Sequence, residues 1–67
     1  MTLRDLLLTT VSNQHVKVTA GHYEIIVAEG LPVDLLNEKS IKDCMMTDII
    51  KISVDKGSGD LVVLYYK

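Results

Sequence analysis

Two imidazoles, one thiol and a glycine-rich loop with two carboxylates are the groups in this 67-residue sequence that could do chemistry: His15, His22, Cys44 and the run Asp55 to Asp60. A metal centre needs at least three donors converging at bonding distance. His15 and His22 fall on one face of a predicted hairpin but far apart along it, so they read as surface histidines. Cys44 would be a nucleophile only beside a base in an electropositive pocket. Lys42 is its one cationic neighbour in sequence and Met45 and Met46 follow it, so Cys44 reads as a buried structural thiol acting as a small hydrophobe.

The Asp55 to Asp60 loop sets two carboxylates and a serine around two glycines. A calcium loop requires a spaced run of carboxylates closed by a bidentate glutamate, whereas a hairpin turn selects Asp and Gly for backbone reasons. The turn reading is preferred. No serine triad, phosphate-cradling glycine loop or dinucleotide fingerprint can be assembled from these residues. The expectation is a non-enzyme with no catalytic, metal or cofactor residues, a site shared between subunits being left open.

The elements that position these groups follow from the hydrophobic period. Thr2 and Asp5 make a shortened capping box, and Leu3, Leu6, Leu7 and Val11 trace one apolar stripe, predicting a helix from Leu3 to Thr10. From His15 the period becomes two, with Val16 and Val18 alternating against His15, Lys17 and Thr19. Closing a hairpin at Ala20 and Gly21 sets Val16 against Ile25, Val18 against Tyr23, Lys17 against Glu24 and Thr19 against His22. Pro32 suits the first position of a short helix carrying Val33, Leu35 and Leu36. Lys39 to Met46 reads equally as a capped helix or as the approach to a strand. Asp48 to Val54 and Leu61 to Tyr66 flank the glycine loop as a second hairpin, pairing Val54 with Leu61, Ile52 with Val63, Ile50 with Tyr65, Ser53 with Val62, Lys51 with Leu64 and Ile49 with Tyr66.

The predicted fold is α+β: an N-terminal helix on a four-stranded antiparallel sheet made of two β-hairpins, in the order helix-β-β-short helix-β-β, with residues 1–67 as one domain. Cys44 is the only cysteine, so no disulfide forms within the chain and a reducing, cytoplasmic setting is expected. Met1 to Val11 contains Arg4 and Asp5 and lacks the layout of a signal peptide. No stretch reaches the roughly 18 apolar residues that cross a bilayer, so no membrane association is expected. With a net charge of -2 and its seven Lys and Arg scattered, the chain has no basic stripe to track phosphates, which weighs against nucleic acid as a partner.

The helix Thr2, Leu3, Arg4, Asp5, Leu6, Leu7, the alternating strand His15 to Thr19, the leucine-rich turn Leu31 to Leu36 and the closing hairpin Ile49 to Tyr65 together resemble small uncharacterised proteins encoded by phages and prophages of Gram-positive bacteria. Asn37 to Thr47 departs from the compact form of that group. The resemblance implies an accessory protein of a mobile element, acting in the host cytoplasm, and brings no catalytic residues with it. In the predicted sheet, helix one covers the face of Val16, Val18, Tyr23, Ile25, Ile50, Ile52, Val54 and Val63. Ile49, Val62, Leu64 and Tyr66 are left on the other face as the candidate interaction surface. A chain this short buries only about 60% of its unfolded surface, so that patch predicts a protein-interaction module that self-associates, most simply as a dimer. The alternative is a small nucleic-acid-associated regulator.

Overall fold

Helix α1 (Leu3–Thr9) begins at the capping box. Thr2 Oγ1 accepts from the Asp5 amide and Asp5 Oδ2 accepts from the Thr2 amide, both at 3.1 Å. The two amides between them donate to the far half of the chain, Leu3 N–H to the Thr47 carbonyl at 3.0 Å and Arg4 N–H to that of Met45 at 2.9 Å. Every donor orphaned at the helix start is thereby satisfied. The helix stops at Thr9, one residue sooner than its apolar stripe suggests. The Thr9 and Thr10 hydroxyls both donate to the Leu6 carbonyl and Thr10 turns extended, which leaves Val11 outside the helix and 66% exposed.

The computed structural model, which describes residues 1–66, continues with β1 (Val16–Ala20), β2 (Ile25–Gly30), α2 (Pro32–Leu36), a 3-10 helix (Lys39–Cys44), β3 (Lys51–Val54) and β4 (Leu61–Tyr66). The fold is α+β with one open four-stranded sheet in the order β2-β1-β4-β3. The predicted all-antiparallel sheet is corrected on one point. The two hairpins are antiparallel, but they meet through a parallel pairing of β1 with β4, in which Val16 lies beside Leu61 and Val18 beside Val63. Parallel neighbours need a long crossover, and everything from β2 to β3 supplies it.

The second hairpin keeps the predicted register from Lys51 to Val54. Pairing then ends, because the Ile49 amide donates to the Met1 carbonyl at 2.9 Å and Thr2 bridges Asp48. The predicted pairs of Ile50 with Tyr65 and Ile49 with Tyr66 do not continue the ladder. The first hairpin is in a different register from the predicted one: Val16 pairs with Gly30, Lys17 with Glu29, Val18 with Ala28, Thr19 with Ile26 and Ala20 with Ile25. A two-residue hairpin turn needs positive φ or glycine at its first central position, and Ala20 suits neither. The chain instead turns over Gly21–Glu24, with Gly21 at φ 88° and Glu24 at φ 51°. This register puts Ala28 and Gly30 beside the buried valines and sends Tyr23 and Ile25 to solvent, at 85% and 64% exposure.

α1, α2 and the 3-10 helix supply the side chains that cover the inner face of the sheet. Leu3, Leu6 and Leu7 of α1, Leu35 of α2 and Ile41 of the 3-10 helix pack with Val16, Val18 and Val63 into one core, with Ala28, Leu36, Cys44, Met45, Ile49, Leu61 and Tyr65 at its margin. Pro32 takes the first turn of α2 as predicted. The unassigned segment Lys39 to Met46 is thus a second cover on the α1 side, pinned by Ile41. Ile41 is fully buried, so Ile41→Ala should lower unfolding free energy by about 2 to 5 kcal/mol. Urea denaturation of the two forms measures this, and a change below that range would show that the 3-10 helix is not a structural element of the core.

Candidate interaction surface

The four residues expected to form an exposed patch are divided among three environments. Ile49 lies against the core on the inner face. Leu64 points outward but is only 6% exposed, Val62 is half-buried, and Tyr66 is 64% exposed. They do not make a continuous apolar surface. Leu64 is shielded by the β1–β2 turn, which folds over it to leave an open cleft of about 210 Å³ lined by Gly21, His22, Glu24, Ile50, Lys51 and Leu64. An ion pair between Glu24 and Lys51, 3.5 Å long, spans the rim. Beside Leu64 in the parallel register, Thr19 is also buried, and its hydroxyl donates to the Val63 carbonyl at 2.8 Å. That bond satisfies a group which would otherwise be costly to desolvate.

The other end of the outer face is charged. Lys17 Nζ lies 3.1 Å from Asp55 Oδ2 and 3.6 Å from Asp60 Oδ2. His15 Nδ1 is 3.0 Å from the same Asp60 oxygen, while His15 Nε2 is 4.0 Å from Glu29. Gln14 Nε2 donates to the Gly59 carbonyl at 3.1 Å, so the start of β1 grips the β3–β4 turn. The predicted cross-strand pair of Lys17 with Glu24 is absent: Lys17 faces Glu29 in register and reaches the turn carboxylates, and Glu24 goes to Lys51.

The loop read as a turn behaves as one. Asp55 Oδ1 accepts from the Gly57 amide at 3.0 Å, Ser58 Oγ from the Asp60 amide at 3.3 Å, and the Gly59 amide closes onto the Asp55 carbonyl at 2.6 Å. The Lys17 ammonium and the Gly57 amide hold the Asp55 carboxyl below its ordinary value, and Asp55 in turn raises Lys17.

His15 sits at this clasp, His22 packs edge-on to Tyr23 in the β1–β2 turn with ring centres 5.3 Å apart, and Cys44 is half-buried beside Tyr65. Among the described residues, no group of three or more His, Cys, Asp or Glu side chains is placed to hold a metal ion. The Cys44 thiol, together with burial, pushes the Tyr65 hydroxyl up to about 12.

The feature that sequence reasoning missed is where the apolar surface remains. Ile50, Ile52 and Val54, assigned to the covered face, are 53%, 48% and 60% exposed, and Ile25 and Ile26 on β2 are 64% and 47% exposed. α2 and the 3-10 helix pack against edge strand β2, yet the apolar side chains at its turn end and along edge strand β3 stay exposed. The signal was available in the length of α1, since 7 residues at 1.5 Å each make a rod of about 10 Å, against about 4.8 Å between strands.

No family model, curated protein or solved structure matches the chain.

Two pH responses follow from this geometry. The Asp55 carboxyl titrates lower in the folded than in the unfolded chain, so its contribution is present above the ordinary carboxylate range and lost as pH falls through it. The urea midpoint of wild type should therefore fall more between pH 6 and pH 3 than that of Lys17→Met, in which the ammonium is gone; equal falls would refute the clasp. Tyr65 has the opposite sign, its folded value being the higher one, so stability is full below its unfolded range and is lost as pH rises toward about 12. Absorbance of tyrosinate should show a late titration step that Tyr65→Phe removes, and a full tyrosinate signal completed near the ordinary range would exclude it.

Proposed function

We propose that this chain is a small non-enzymatic protein-interaction module that binds through a sheet edge, working in the cytoplasm as an accessory protein of phage or prophage type. The observation that carries the reading is the exposed apolar pair Ile52 and Val54 on edge strand β3. Edge strands present unpaired main-chain groups, and proteins usually blunt them with charge, proline or bulges. An edge that keeps isoleucine and valine in water fits strand addition, in which the main chain gives affinity and alternate side chains give specificity. The lysines on the sheet support a protein partner over a nucleic acid, because Lys17 and Lys51 are each engaged by a carboxylate of the same chain. The described residues contain no helix long and apolar enough to cross a membrane, in keeping with a soluble module. The resemblance of Thr2 to Leu7 and of the closing hairpin to small phage and prophage proteins supports the setting.

The test compares immobilised wild-type chain with the Ile52→Lys, Val54→Lys double variant in retaining proteins from a bacterial cytoplasmic extract. Both residues are exposed, so the variant should keep its fold. A retained protein that the variant loses is the expected result. Identical retention by both forms when both are also monomeric, or retention only of DNA that falls steeply with added salt, would replace the edge reading with the nucleic-acid alternative or with none.

A further inference from the structure

We infer that the occupant of this edge is a second copy of the same chain, with β3 pairing antiparallel to β3 about a two-fold axis at Ser53, so that Ile52 lies opposite the partner's Val54. The inference rests on the edge reading above and names its partner. Of the two edges only β3 is open. On β2 the register shift between Val18 and Thr19 leaves Val27 as an extra, bulged residue, and α2 and the 3-10 helix pack against that strand. The four residues Lys51–Val54 pair regularly with β4 and contain neither proline nor glycine.

The register is decided by which main-chain groups are free. In an antiparallel ladder, pairs alternate between exchanging both hydrogen bonds and exchanging none. The Asp55 amide donates to the Asp60 carbonyl at 2.9 Å. Ser53 with Val62 and Lys51 with Leu64 therefore exchange bonds in the same phase, and Ile52 and Val54 turn their N–H and C=O groups to the open edge. The Leu61 amide, opposite Val54, donates to His15 of β1 at 3.0 Å, as this phase requires. Pairing Ile52 with the partner's Val54 satisfies all the free groups of both residues in both copies. Sliding to Ile52 against Ile52 would set Val54 against Ile50, whose amide is already donated to the Leu64 carbonyl at 2.8 Å.

Charge agrees with the same register. It sets Lys51 against the partner's Asp55 on the outer face, twice by symmetry, and no like charges meet. Both groups are accessible, with side-chain exposures of 56% and 41%. On the inner face Ile52 and Val54 of each copy bury one another. Within its own chain Lys51 lies 3.5 Å from Glu24 and Asp55 lies 3.1 Å from Lys17, so the contact across the axis joins two existing ion pairs. The two four-stranded sheets would become one continuous sheet with a closed two-fold contact.

The register makes a chemical test available. Ser53 faces its own copy across the axis in a pair that exchanges no hydrogen bonds, where Cα atoms lie about 4.5 Å apart, within the span of a disulfide. Under mild oxidation Ser53→Cys should give a covalent dimer on a non-reducing gel, while wild type, carrying only Cys44, and Ile52→Cys should not. Light scattering after gel filtration should give wild type twice the mass of the Ile52→Lys, Val54→Lys variant, with circular dichroism confirming that the variant is folded. A dimer cross-linked through Ile52→Cys and not through Ser53→Cys would overturn the register, and a monomeric wild type at high micromolar concentration would overturn self-pairing. If that monomer still retains a protein which the double variant loses, self-pairing fails while the edge reading stands; if it retains none, both fail.

Discussion

The parallel contact between β1 and β4 is the constraint on which the rest of this structure depends. Each strand belongs to a different hairpin, and only their pairing makes two hairpins, each marginal alone, into one sheet. It places Val16, Val18 and Val63 at the centre, where both neighbours and the helical layer exclude water, and all three are fully buried. It also decides what lies at the margins. With β1 and β4 in the middle, β2 and β3 are edges, and although α2 and the 3-10 helix pack against β2, Ile25 and Ile26 of β2 and Ile52 and Val54 of β3 remain in solvent.

That layer is built from pieces too short to be stable by themselves. Isolated helices below about 12 residues are marginal in water, and α1 has 7. Its start is held by the carbonyls of Thr47 and Met45, so α1 is secured only once the segment before β3 is in place. A third bond, from the Ile49 amide to the Met1 carbonyl, draws Ile49 out of the hairpin and against the core. Local and distant structure are therefore coupled: the capping box specifies where α1 begins, and the crossover specifies that it stays formed.

What was legible in the sequence was local. Thr2 with Asp5, Pro32 at the start of α2, and the Lys51 to Val54 register across a glycine turn are all set by neighbours a few residues apart, and the structure contains each of them. What was not legible depends on contacts between distant segments. Matching apolar residues across the first hairpin assumed that β1 must bury its valines against β2, whereas β4 does that on the other side, which frees β2 to pair through Ala28 and Gly30. Ile49 alternates correctly for the outer face and is redirected by Met1, a residue no periodicity links to it. Ile49, Val62, Leu64 and Tyr66 are not one continuous face because Met1 redirects Ile49 and the β1–β2 turn covers Leu64, while exposed apolar side chains lie at Ile25, Ile26, Ile52 and Val54.

The outer face shows why the surplus lies at the edges. That face has no covering layer, yet Thr19 and Leu64 are buried in it. Its polar groups are turned on one another: Lys17 with Asp55 and Asp60, His15 with Asp60, and Glu24 with Lys51 across the rim of the Leu64 cleft. Ion pairs at a surface, such as Lys51 with Glu24, add little stability singly. Their effect here is geometric, because each one anchors a turn over the sheet and so shields the apolar side chains between them. A turn can fold over the face of the strand it leaves but cannot pair with the main chain of an edge. The face is therefore closed by the chain's own turns, whereas Ile52 and Val54 have donors and acceptors that only another strand can satisfy as fully as water does.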